Sequence, residues 1–81
     1  MFNLNNISSI KGYSTLQRDA AKMFQAFLKN FYNSWGLEAR ETIEPLVVKL
    51  CKEAEKTYLR FDYKIYGKKE WLHVKSSTTW Y

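Results

Sequence analysis

The stretch TLQRDAAKMFQAFLKNFYNSW, Thr15 to Trp35, decides the fold. Leu16, Ala20, Met23, Phe24, Phe27, Leu28, Phe31 and Trp35 recur at steps of three and four. That period puts them on one stripe of an α-helix, with Arg18, Asp19, Lys22, Gln25 and Lys29 mostly on the other side. A hydroxyl from Ser14 or Thr15 can cap the first turn. Gly36 suits the left-handed position just past a helix end. At ~1.5 Å per residue such a helix is ~30 Å long, the width of a small domain. Its wide apolar stripe needs a partner layer from the rest of the chain. Phe24, Phe27, Leu28 and Phe31 are the expected centre of the core.

Downstream, Leu37–Glu44 reads either way. Glu38, Glu41 and Glu44 would make an acidic stripe on a helix, but the segment also alternates well enough to be extended. Pro45 is tolerated in the first turn of a helix and poorly inside one. A second helix is therefore expected over about 42–56, capped by Thr42. Ile43, Leu46, Val47, Leu50, Cys51 and Ala54 would form its apolar face, with Lys49, Lys52, Glu53 and Lys56 in water.

The period then changes to two. Leu59, Phe61, Tyr63 and Ile65 alternate with Tyr58, Arg60, Asp62, Lys64 and Tyr66. Gly67-Lys68-Lys69 reads as a turn. Leu72 and Val74 alternate with Trp71, His73 and Lys75. Aromatic and β-branched residues in this pattern predict a hairpin over 58–75 with one buried face. Met1–Ser14 is polar and interrupted by Gly12, so a loop with a short edge strand is expected there. Trp80 and Tyr81 should dock rather than float. The fold class is α+β: two helices packed on a small antiparallel sheet built around the C-terminal hairpin, in one domain over 1–81.

Composition bounds the function. At 81 residues the core is small, yet 17% of residues are aromatic, and each buried ring removes ~150–250 Å² from water. Little room is left for an enclosed cofactor, and none is expected. One cysteine excludes an internal disulfide and fits a reducing, cytoplasmic setting. Residues 1–6 lack the charge and apolar core of a signal peptide, and no apolar run is long enough to span a bilayer. One His and one Cys make a zinc site improbable. Three isolated glycines exclude the phosphate-cradling loops.

The net charge of +5 is concentrated toward both ends of the chain and favours an anionic partner. The bland reading is solubility alone. Asp62-Tyr63-Lys64 has the acid–x–lysine spacing of metal-dependent nucleases, although an Asp between Arg60 and Lys64 is more simply a surface ion pair. His73 near Arg60, Lys64, Tyr58 and Tyr66 would suit metal-independent RNA cleavage, a third reading. Catalysis is less expected than binding, and no residue is assigned as catalytic or as a metal ligand.

The leading expectation is nucleic-acid binding by a basic-aromatic hairpin face. Arg60, Lys64, Lys68, Lys69 and Lys75 would meet phosphates, while Tyr66 and Trp71 stack on bases; Tyr58 and His73 complete the surface. The alternative is a protein-binding inhibitor or adaptor of the kind carried by mobile elements. It would use the same rings as hot spots and Glu38–Glu44 as a second contact. If the stripe of the long helix is exposed, that helix is an interface and the protein is an oligomer, such as a homodimer, or an adaptor.

Overall fold

The Thr15–Trp35 pattern forms helix α1, Arg18–Asn33, in the computed structural model, which describes residues 4–54 and 56–81. Met1–Asn3, part of the expected N-terminal loop, lie outside the described residues. The ends of α1 differ from the expectation. Thr15 belongs to a 3-10 turn, Tyr13–Thr15, and its hydroxyl donates to the Gly12 carbonyl at 2.6 Å. Gln17 takes the cap position without a side-chain cap bond. Gly36 is not left-handed: at φ −66° it opens a short helix α2, Leu37–Thr42. Two helices and a three-stranded antiparallel sheet with a C-terminal hairpin give the expected α+β class.

The strands are β1 (Glu44–Glu53), β2 (Lys56–Ile65) and β3 (Lys68–Val74), in the order β1-β2-β3. The hairpin lies where the period-two pattern placed it, but its turn is Tyr66-Gly67: Lys68 and Lys69, expected in the turn, open β3 instead. Leu59, Phe61 and Tyr63 face α1 and are buried. Phe24, Phe27, Leu28 and Phe31 are at most 1% exposed. Phe61 is the hub: its ring centroid lies 5.5 Å from Phe24, 5.5 Å from Phe27 and 5.8 Å from Phe31, all edge-on. Burying each such ring contributes about 1.5–3 kcal/mol, and edge-on pairing adds about 0.5–1.5 kcal/mol. The centre of the stripe is thus consumed inside the chain, while Leu16, Ala20, Met23 and Trp35 are partly buried at its margins.

The expected helix over 42–56 is a correction: Glu44–Glu53 is strand β1. Two features conceal it. The β1–β2 register shifts between Pro45 and Val47, so Leu46 is an extra residue and the alternation slips by one. The following turn carries Ala54 at φ +55°, a left-handed position that usually announces itself with Gly or Asn. The strand wins because α1 needs cover, and β1 supplies Val48, fully buried opposite Phe61. Pro45 sits on an edge strand beside the bulge, where its missing N–H is tolerated. Cys51, expected on a helix face, instead pairs with Tyr58 as a half-buried free thiol.

Both ends of the chain meet the sheet. The expected edge strand near the N-terminus reduces to one parallel bridge between Lys11 and Val47, with the Val48 N–H donating to the Lys11 carbonyl at 2.9 Å. Gly12 (φ +89°) makes this approach possible: a Cβ there would lie 2.0 Å from the Val48 carbonyl oxygen. At the other end, Tyr81 and His73 exchange both backbone hydrogen bonds, at 2.8 and 3.0 Å. Trp80 docks edge-on against Phe27 at 5.2 Å. Asn30 on α1 holds the loop between them by donating to the Ser77 carbonyl at 2.8 Å.

Candidate functional site

Alternation along three paired strands builds a second face, turned away from α1. Register places Val47 beside Asp62, Lys49 beside Arg60 and Cys51 beside Tyr58. On the other side of β2, Arg60 pairs with His73, Asp62 with Trp71 and Lys64 with Lys69. Antiparallel sheets commonly keep one face solvated. This one is unusual in its rings. Trp71 is 51% exposed and Tyr81 68% exposed.

The side chains are organised among themselves. The Arg60 guanidinium lies 4.4 Å above the Trp71 ring, and its Nε donates to the Asp62 carboxylate at 2.9 Å. The Lys75 ammonium stands 4.8 Å from the Tyr58 ring centre and 5.7 Å from that of Tyr81. His73 is framed by Tyr58 at 4.7 Å, Trp71 at 5.0 Å and Tyr81 at 5.7 Å. Each cation–π contact is worth about 0.5–1 kcal/mol where exposed. The set is pre-ordered, so less side-chain entropy is lost when a ligand arrives.

Between β1 and β3 the face dips into an open concavity of about 280 Å³, lined by Leu46, Val47, Arg60, Asp62, Lys69, Glu70 and Trp71. Within the rows from Glu44–Lys64–Lys69 to Cys51–Tyr58–Lys75, the cations Lys49, Arg60, Lys64, Lys69 and Lys75 outnumber the carboxylates Glu44 and Asp62, even with Glu70 of the concavity added.

Most of the residues singled out from sequence therefore meet. Tyr58, Arg60, Lys64, Trp71, His73 and Lys75 share this face, and Lys69 joins Lys64 across the hairpin. Two stand apart. Lys68 pairs with Ile65, which puts it on the helix side by register, and Tyr66 lies in the turn itself. Lys49 and Val47 were missed because β1 read as a helix; the adjacent β-branched pair Val47-Val48 was the signal available. Tyr81 was expected to dock, and its ring extends the face.

Asp62 is held by Arg60, the ion pair expected of it. Among the described residues, no group of three or more His, Cys, Asp or Glu side chains is placed to hold a metal ion. No helix among them is long and apolar enough to cross a membrane. The acidic run divides: Glu38 and Glu41 are exposed on α2, and Glu44 opens β1. No protein-family model, curated protein or solved structure matches the chain.

Proposed function

We propose that the protein binds nucleic acid through the sheet face opposite α1, without catalysis. One observation carries the reading: five cations and the rings of Tyr58, Trp71 and Tyr81 lie together on one half-exposed sheet face. Cations neutralise phosphates, and rings offer platforms to bases. Lys64 and Lys69 sit side by side at one end, where like charges repel. An anion between them relieves that repulsion.

If about three phosphates are neutralised, the affinity for a single strand falls roughly 20-fold between 50 and 200 mM salt. The Lys64→Glu, Lys69→Glu pair should lower affinity more than tenfold at low salt while leaving the melting temperature within a few degrees. Asp62→Asn tests the same face from the opposite direction. It frees Arg60 and removes a negative charge, so binding should tighten a few-fold. Its ion pair is about one-third exposed on both sides, so the cost in stability is at most about 1 kcal/mol. Fluorescence anisotropy with labelled DNA and RNA reads all three. If neither nucleic acid is retained at 50 mM salt, the reading is wrong, and a protein partner docked on the same rings takes its place.

A further inference from the structure

The tip of the β2–β3 hairpin has a feature that the fold does not require. Ile65 and Lys68 pair, and the two residues between them are both left-handed, Tyr66 at φ +51° and Gly67 at φ +76°. This is the type I′ turn, whose twist suits a hairpin. Gly67 fits its position. Position 66 is normally given to Asn, Asp or Gly, because a bulky side chain at positive φ is strained. Packing does not compensate here, since Tyr66 is 58% exposed. What holds the strained residue is its backbone N–H, which donates to the Thr42 hydroxyl at 3.1 Å. Strain retained at an exposed aromatic residue is a pointer to function.

The shape of the sheet limits what that ring can meet. β1 flanks β2 as far as the Glu44–Lys64 pair, so only Ile65–Lys68 projects beyond the three-stranded body. The three strands, spaced ~4.8 Å apart, are roughly 10 Å wide from backbone to backbone, one strand more than a ribbon of two, and about 14 Å wide where the tail pairs with His73. The major groove is ~12 Å wide and takes a helix or a two-stranded ribbon. The face is therefore too broad to enter a duplex groove, and the projecting tip is too short to follow one. Within a duplex, moreover, base faces are stacked on one another. Exposed rings gain stacking only from unpaired bases. From Lys64 to Tyr58 the platform runs about 20 Å, room for several nucleotides.

Taking the nucleic-acid reading as given, we propose that the ligand is a single strand, RNA or single-stranded DNA. Its bases stack on the exposed rings of the sheet face, Lys64 and Lys69 take phosphates at the end of that face, and a strand running past them meets Tyr66 in the turn beyond. Tyr66 is a contact residue whose strained backbone the fold tolerates for that purpose.

The test titrates the full chain at 50 mM salt against three labelled probes of about ten nucleotides: oligo-U, oligo-dT and a mixed-sequence DNA duplex. Single strands should bind at least tenfold more tightly than the duplex, and the two single-strand arms show which sugar is preferred. Duplex binding as tight as either single strand overturns the proposal but leaves the basic-face reading standing. Binding to none of the probes defeats both. Tyr66→Asn fits the turn better, so it should keep or raise the melting temperature while weakening the single-strand complex at least fivefold. Unchanged affinity in that variant removes Tyr66 from the site.

Discussion

The contact between Gly12 and the β1 edge can be tested with the chain's three glycines. Gly36→Ala places a methyl at φ −66° with nothing within 4 Å. Loss of a tolerable cap residue and the smaller entropy of the unfolded chain roughly cancel, so the change should be within about 0.5 kcal/mol of zero. Gly67→Ala also meets open space, but at φ +76°. An L-residue there costs about 1 kcal/mol. Gly12→Ala has the same backbone cost at φ +89°, plus a Cβ 2.0 Å from the Val48 carbonyl oxygen. Backbone must move, which breaks the bond from the Val48 N–H to the Lys11 carbonyl. Losing that bond and leaving its donor poorly satisfied adds about 2 kcal/mol. The total is near 3 kcal/mol, a fall of roughly 15 °C for a domain of this size. Urea unfolding followed by circular dichroism and tryptophan fluorescence gives all three values. If Gly12→Ala falls within about 0.5 kcal/mol of Gly67→Ala, the close approach does not hold the N-terminal segment to the sheet.

Two further outcomes are expected. Trp80→Ala removes a ring packed on Phe27 and Phe31 and should cost about 2 kcal/mol, while Tyr81→Ala, at an exposed position, should cost less than about 0.5 kcal/mol; equal losses would mean that backbone pairing, not the Trp80 ring, secures the tail. Burial pushes the Tyr32 phenol well above its ordinary value, and burial followed by the Glu70 charge raises that of Tyr63. A raised folded value means that this stability is intact below pH 10 and is lost as pH rises beyond it. The Tyr32→Phe, Tyr63→Phe protein should therefore lose stability less steeply above pH 10 in alkaline denaturation. A slope identical to that of the native chain would refute the assignment.

Helix α1 and the β2–β3 hairpin were legible because each carries its own period and its own breaks. Their apolar residues sit on one face whatever the rest of the chain does. β1 was not legible, for reasons specific to it. Ile43, Leu46, Val47, Leu50, Cys51 and Ala54 fall at helical spacing, the Leu46 bulge disrupts the period of two, and Ala54 hides the turn. Only the demand of α1 for a covering layer settles the conformation, and that is a long-range effect. The candidate face was legible to the same extent. Its β2 and β3 residues followed from alternation, whereas Lys49 and Val47 needed the β1 register. Gly12 could be read only as an interruption, because the atom that requires it belongs to Val48.

The clips at Lys11 and Trp80 also bear on self-association. Each outer strand is held along only part of its length, β1 near Val47 and β3 near Val74. If both clips fray, the sheet offers two bare edges on opposite sides. Pairing β1 of one copy with β3 of the next is a heterologous contact, which grows a filament unless its rotation closes a ring, whereas pairing β1 with β1 would stop at a dimer. Lys49 and Lys52 on the β1 edge oppose both by charge, which makes high salt the condition under which this small protein should first begin to assemble.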